Sequence, residues 1–246
     1  MFKRAATVAG LAVLLPIVGA VTQTPLLSGQ AHAGTDLCVS THGEVRVQNG
    51  TATCSSIDGA GNVAIAKGPG TSATAGVVAG DVRDKAKASG TDSTAIAGNG
   101  NGNTATATGD NSIAVAGGDE DSGPGNNNTA TASGDHSVAV AGIGNGNPGT
   151  GGNNDTATAS GDFSRAVAFG NGNGNTAIAS GDHSTAAAGG TEDGPGSNNT
   201  VTASGDHSTA IAVGGQDGPV DNNTVTASTD GCSVVVVSGS GNTRSC

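Results

Sequence analysis

The chain has 246 residues and a net charge of −11, with 44 glycines, no Trp, no Tyr and 3 Phe. So few large side chains exclude an ordinary globular core, and 20 acidic against 9 basic groups argue against binding nucleic acid or an anionic lipid surface. Glycine enrichment alone would suit a disordered chain, but the Ala, Val and Ile residues recur with a strict period and the cysteines sit only towards the two ends.

The first element reads as a leader. Lys3 and Arg4 precede an apolar run over residues 5–21, and Ala31-His32-Ala33 forms the small-x-small cleavage pattern of a secretory signal, bacterial in style. Residues 1–33 are therefore expected to be removed, and the remainder exported to the extracellular space or the cell wall. An uncleaved N-terminal anchor is the other reading, which Pro16 inside the run disfavours. No later run reaches 18 apolar residues, so no membrane insertion is expected after cleavage.

Residues 34–58 read as an N-terminal cap containing Cys38 and Cys54, with Val45 and Val47 alternating as an edge strand. Residues 231–246 read as a C-terminal cap containing Cys232 and Cys246, with a last strand over residues 234–237. An even cysteine count in an exported chain points to disulfides, for which three pairings are possible. Cys38–Cys54 and Cys232–Cys246 are favoured; each would close a loop of about 15 residues and stabilise by about 3 kcal/mol in the chain-entropy account. The spacing does not suit paired C-x-x-C metal ligands.

Between the caps, residues 59–230 repeat. Gly109-Asp110-Asn111-Ser112-Ile113-Ala114-Val115-Ala116-Gly117 is one unit, and Gly134-Asp135-His136-Ser137-Val138-Ala139-Val140-Ala141-Gly142 is the next. Further copies start at Gly161, Gly181 and Gly205, with a degenerate one at Gly90. Before most of them lies a second alternating element, such as Thr104-Ala105-Thr106-Ala107-Thr108. One repeat is thus two short alternating strands joined by a tight Ser-Gly-Asp turn, where Gly supplies positive φ and Asp bonds nearby backbone. A Gly/Asn/Asp loop of variable length completes it. Constant strands with length variation confined to loops predict an all-β chain folded as a parallel β-solenoid or β-roll, two strands per coil.

Period-2 alternation separates the faces. The Ala and Ser faces are placed inside, because only small side chains let two sheets approach around a thin core. The reverse assignment would bury the Val/Ile face instead. Disulfides then serve as caps, since a solenoid end exposes unpaired strand edges. Asn103, Asn128, Asn175, Asn199 and Asn223 each precede a Thr strand and are placed to stack as an amide ladder.

The Gly-Asp-x-Ser-x-Ala-x-Ala-x-Gly units resemble the head repeats of trimeric autotransporter adhesins, over roughly residues 59–230. The resemblance implies a left-handed parallel β-roll, a homotrimer and an adhesin-like surface role. The chain is also similar in general type to secreted Gly/Ala/Thr-repeat proteins of actinobacteria, whose function is unknown.

Several features are candidate functional sites. Ile113, Val115, Val138, Val140, Ile211 and Val213 form an apolar stripe opposite the inward alanines, a candidate interface. Thr104, Thr106, Thr129, Thr131, Thr156, Thr158, Thr200, Thr202, Thr224 and Thr226 form two ranks of hydroxyls. These ranks resemble the ice-binding face of β-solenoid antifreeze proteins, although Thr is also a good exposed strand residue. Asp119-Glu120-Asp121, Glu192-Asp193 and Asp217 with Asp221 are weak calcium candidates in oxygen-rich loops. His136, His183 and His207 share one turn position beside Asp135, Asp182 and Asp206; Asn111 and Phe163 fill it in other repeats, so it reads as a permissive turn site.

Nothing resembles a nucleophile elbow, and there are no aromatic walls for a cleft. The expected function is therefore a non-catalytic, secreted or cell-surface structural or adhesin-like repeat protein, needing no cofactor. Its expected partners are further copies of itself or a component of the cell envelope or a host surface. The alternative is a surface binder of ice or calcium.

Overall fold

The computed structural model of the chain describes residues 36–118, 123–144, 151–190, 194–214 and 219–246. Residues 1–33, expected as a leader, and the calcium candidates Asp119, Glu120, Asp121, Glu192, Asp193 and Asp217 lie outside the described residues. Near the N-terminus stand β1 (Leu37–Thr41), β2 (Glu44–Asn49), β3 (Thr53–Ser56), β4 (Val63–Lys67), β5 (Ser72–Ala75), β6 (Lys85–Ser89) and β7 (Thr94–Ala97). The most regular repeats supply β8 (Thr104–Ala107), β9 (Ile113–Ala116), β10 (Thr129–Ala132), β11 (Val138–Ala141), β12 (Thr156–Ala159) and β13 (Arg165–Ala168). They continue through β14 (Thr176–Ala179), β15 (Thr185–Gly189), β16 (Thr200–Ala203), β17 (Thr209–Val213) and β18 (Thr224–Ala227) to β19 (Ser233–Val236) and β20 (Thr243–Ser245).

Among the described residues, one sheet has 11 strands in the order β2-β1-β4-β6-β8-β10-β12-β14-β16-β18-β20, and the other has 9 in the order β19-β17-β15-β13-β11-β9-β7-β5-β3. From β2 onward successive strands of the chain thus alternate between sheets, and each coil adds one strand to both. From β4 onward neighbouring strands are parallel and in register: Thr104 faces Thr129 and Thr131 faces Thr158 in the first sheet, Ile113 faces Val138 and Val140 faces Val167 in the second. The fold is the all-β parallel solenoid that the alternation predicts. We call the two layers the threonine sheet and the valine sheet after their outer faces.

The core is a file of alanine methyls. Ala105, Ala107, Ala114, Ala130, Ala139 and their counterparts in each coil are fully buried, and Ser112, Ser137 and Ser208 share that interior. The largest fully buried apolar side chains are Val201, Val220 and Val225. A methyl group contributes only about 0.8 kcal/mol on burial, so each coil is stabilised mainly by its ladder bonds to the coils on either side.

The Ser-Gly-Asp turn is built differently from the sequence expectation. Positive φ falls on the residue after Asp, namely Asn111 (53°), His136 (57°), Phe163 (54°), His183 (56°) and His207 (56°), and not on the glycine. Glycine is needed there for space: a Cβ on Gly134 would lie 2.3 Å from the carbonyl oxygen of Gly161, and one on Gly161 would lie 2.4 Å from that of Gly181. Asp likewise bonds the neighbouring coil, not its own backbone two residues on.

The two ends differ. Cys38 pairs with Cys54, joining β1 to β3 across the two sheets, with 5.5 Å between Cα atoms. Cys232 pairs with Cys246 at 6.2 Å, joining the starts and ends of the last coil. At the N-terminus β1 runs antiparallel to both β2 and β4, so the solenoid edge is covered by a reversed hairpin. Val45 and Val47 do lie in a strand, β2, but at 52% and 43% exposure they face solvent beyond the staple. At the C-terminus Val236 is buried, whereas Val235 and Val237 are exposed.

Candidate functional site

Parallel register converts each repeat position into a column running the length of the solenoid. The outer face of the threonine sheet carries three. The first holds Thr104, Thr129, Thr156, Thr176, Thr200, Thr224 and Thr243. The second holds Thr106, Thr131, Thr158, Ile178, Thr202 and Thr226. The ladder continues one residue past each strand, through bonds such as Thr108 N–H to Ala132 O and Ser133 N–H to Ala159 O. That adds a third hydroxyl column of Thr108, Ser133, Ser160, Ser180, Ser204 and Ser228. The sequence reading found two columns; the third was legible as the Ser or Thr preceding each Gly-Asp.

The outer face of the valine sheet carries two columns. Ile113 and Val138 stand in one, followed by Arg165, Thr185 and Thr209. Val115, Val140 and Ile211 stand in the other, which the structure extends to Ile96, Val167, Ala187 and Val235. Val213 lies farther along β17, opposite Gly189. Ile113 is 40% exposed, but Val115 and Val167 only 7%, so the apolar strip is partly sunk between its neighbours. Ile96 and Val167 were missed because their own repeats are degenerate, with Thr94 and Arg165 at the preceding outward position.

The turn edge is a polar stack. The N–H groups of Thr91, Asp110, Asp135, Asp162, Asp182 and Asp206 donate to Oδ1 of Asp110, Asp135, Asp162, Asp182, Asp206 and Asp230 in the following coil, at 2.7–3.0 Å. Beside this ladder the rings of His136, Phe163, His183 and His207 stack at centroid separations of 4.7, 5.0 and 4.9 Å. The shared left-handed turn conformation sets that stacking. No group of three His, Cys, Asp or Glu side chains among the described residues is arranged to hold a metal ion. Asp221 instead accepts the Ser197 N–H at 2.8 Å.

The opposite edge holds a buried ladder. The N–H groups of Asp84, Asn103, Asn128, Asp155, Asn175, Asn199, Asn223 and Asn242 donate to the side-chain oxygens of Asn62, Asp84, Asn103, Asn128, Asp155, Asn175, Asn199 and Asn223, one coil back, at 2.7–3.2 Å. Several amide nitrogens also donate to loop carbonyls, as Asn128 Nδ2 does to Gly152 O and Asn175 Nδ2 to Gly196 O, at 2.8 and 2.9 Å. Asp84 and Asp155 interrupt the amide series. Both are fully buried and neither Oδ2 has a partner. Burial pushes the Asp155 carboxyl up to about 8, against the bond from the Asn175 N–H. Burial, with the charge of Asp81 adding to it, pushes Asp84 up to about 6. A protonated Asp155 presents an O–H where an asparagine would present Nδ2, and so stands in for it. The sequence showed the slot, since Asn or Asp precedes each threonine-sheet strand from β4 to β18, but not its burial.

The family model of the YadA head domain repeat matches in 2 copies, over residues 84–96, 101–115 and 128–140. Those segments span β6 to β11. No curated protein and no solved structure matches the chain.

Proposed function

Since the chain carries a head-repeat region of the trimeric autotransporter adhesin type, we propose that it is an exported, non-catalytic, adhesin-like surface protein that self-associates as a trimer through its valine sheet. The observation that supports this reading is the outward apolar column Ile96, Val115, Val140, Val167, Ile211 and Val235, flanked by Ile113 and Val138, on a solenoid whose remaining outer positions are largely hydroxyl or charged. A face of this kind is better covered than hydrated, and a homo-oligomer covers it without a second gene product.

Sedimentation equilibrium on the exported chain tests the proposal. Three times the chain mass is expected, and Val140→Lys on the outer face is expected to return the protein to the monomer with its circular dichroism unchanged. A monomer at micromolar concentration, with the valine sheet free, would overturn the trimer.

A further inference from the structure

We infer that the threonine sheet is an ice-binding surface. The inference stands apart from self-association, because it uses the opposite outer face.

From β8 to β18 the three outward columns contain a hydroxyl at every position but Ile178, and no charged group, in a chain that is 12% charged. Lys85 and Lys87 on β6 bound this patch on one side. The hydroxyls of Thr104, Thr131, Thr158 and Thr202 form no hydrogen bond with any described residue and are partly exposed, leaving both donor and acceptor for water. The aspartates that would disorder neighbouring water are held on the turn edge by their own ladder.

The geometry names the ligand. In register, parallel strands set neighbouring hydroxyls about 4.8 Å apart across the strands and about 6.7 Å apart along them. Water oxygens bonded tetrahedrally at about 2.75 Å lie about 4.5 Å apart as second neighbours and repeat every about 7.3 Å along the hexagonal axis of ice. Each step of the array is thus within about 0.3 to 0.6 Å of the ice lattice, a difference that rotation about the threonine Cα–Cβ bond and an intervening layer of bound water absorb. Stacked, fully buried alanines lie behind the sheet, and the array repeats coil after coil. The valine sheet has the same backbone spacing, but its columns mix Ile, Val, Arg and Thr and offer no hydroxyl lattice.

The test is ice affinity: slow growth of an ice front through a solution of the full chain, with thermal hysteresis read by nanolitre osmometry. The chain is expected to partition into the ice and to show hysteresis. Thr158→Lys, at the centre of the patch, is expected to abolish most of both with its melting curve preserved. Phe163→Lys on the exposed turn edge, outside both outer faces, is expected to leave both intact. Exclusion of the parent chain from ice would overturn the inference, as would unchanged hysteresis in Thr158→Lys. Retention on insoluble crystalline polysaccharide together with exclusion from ice would also overturn it.

Discussion

Replacing Asp155 by Asn restores an amide where the buried ladder carries a carboxyl. In the folded chain that carboxyl titrates near 8, against an ordinary value of 3.8. Its folded value is raised, so between pH 4 and pH 8 the folded state holds a proton that the unfolded chain has released. Stability contributed by this site is therefore complete below about pH 4 and is lost progressively as pH rises towards 8. Each unit corresponds to about 1.4 kcal/mol, an upper bound of about 4 kcal/mol by pH 7. Relaxation around the buried carboxyl reduces this to about 1–3 kcal/mol. Asp155→Asn is expected to match the parent at pH 4 and to exceed it increasingly at pH 6 and 8, by about 2–10 °C in melting temperature. Thermal melts followed by circular dichroism over that range measure the difference, in which the titration of all other groups cancels. A variant that runs parallel to the parent at every pH would refute the assignment of a buried, protonated Asp155. So would one that loses stability at pH 8.

Gly161→Ala places a methyl 2.4 Å from the Gly181 carbonyl oxygen, and is expected to destabilise by about 1–3 kcal/mol, measured by urea unfolding. Asp84→Asn is expected to remove a smaller pH dependence confined to about pH 4–6, since its carboxyl rises only to about 6; melts at pH 4, 5 and 7 check this window. Cys232→Ser with Cys246→Ser opens a cross-link of sequence separation 14, and is expected to lower stability by about 3 kcal/mol. Hydrogen exchange should then quicken first in β19 and β20, because a solenoid frays from a free end.

Ala105, Ala107, Ala114 and Ala116 alternate with Thr and Val, and that alternation alone determined the strands and separated their two faces, because side-chain direction in a strand has period two; that the Ala face is the buried one was decided by the structure. Their small volume determined that the sheets lie close, and the cysteines near each end were sufficient to suggest staples. What coils do to one another was not local information. The reversed hairpin of β1 and β2 depends on which edge is left open, and β20 exists because β18 offers it a partner. Gly134 was legible as a turn residue, but the reason for it is a carbonyl 27 positions along the chain. Asp155 looked like one more polar loop residue beside Asn154; only the ladder places it between Asn128 and Asn175, out of water, where a carboxyl keeps its proton. The columns of hydroxyl, valine, aspartate and aromatic rings likewise arise only when loops of different length bring equivalent positions into register, since the spacing between coils is set by the backbone ladder and not by distance along the chain.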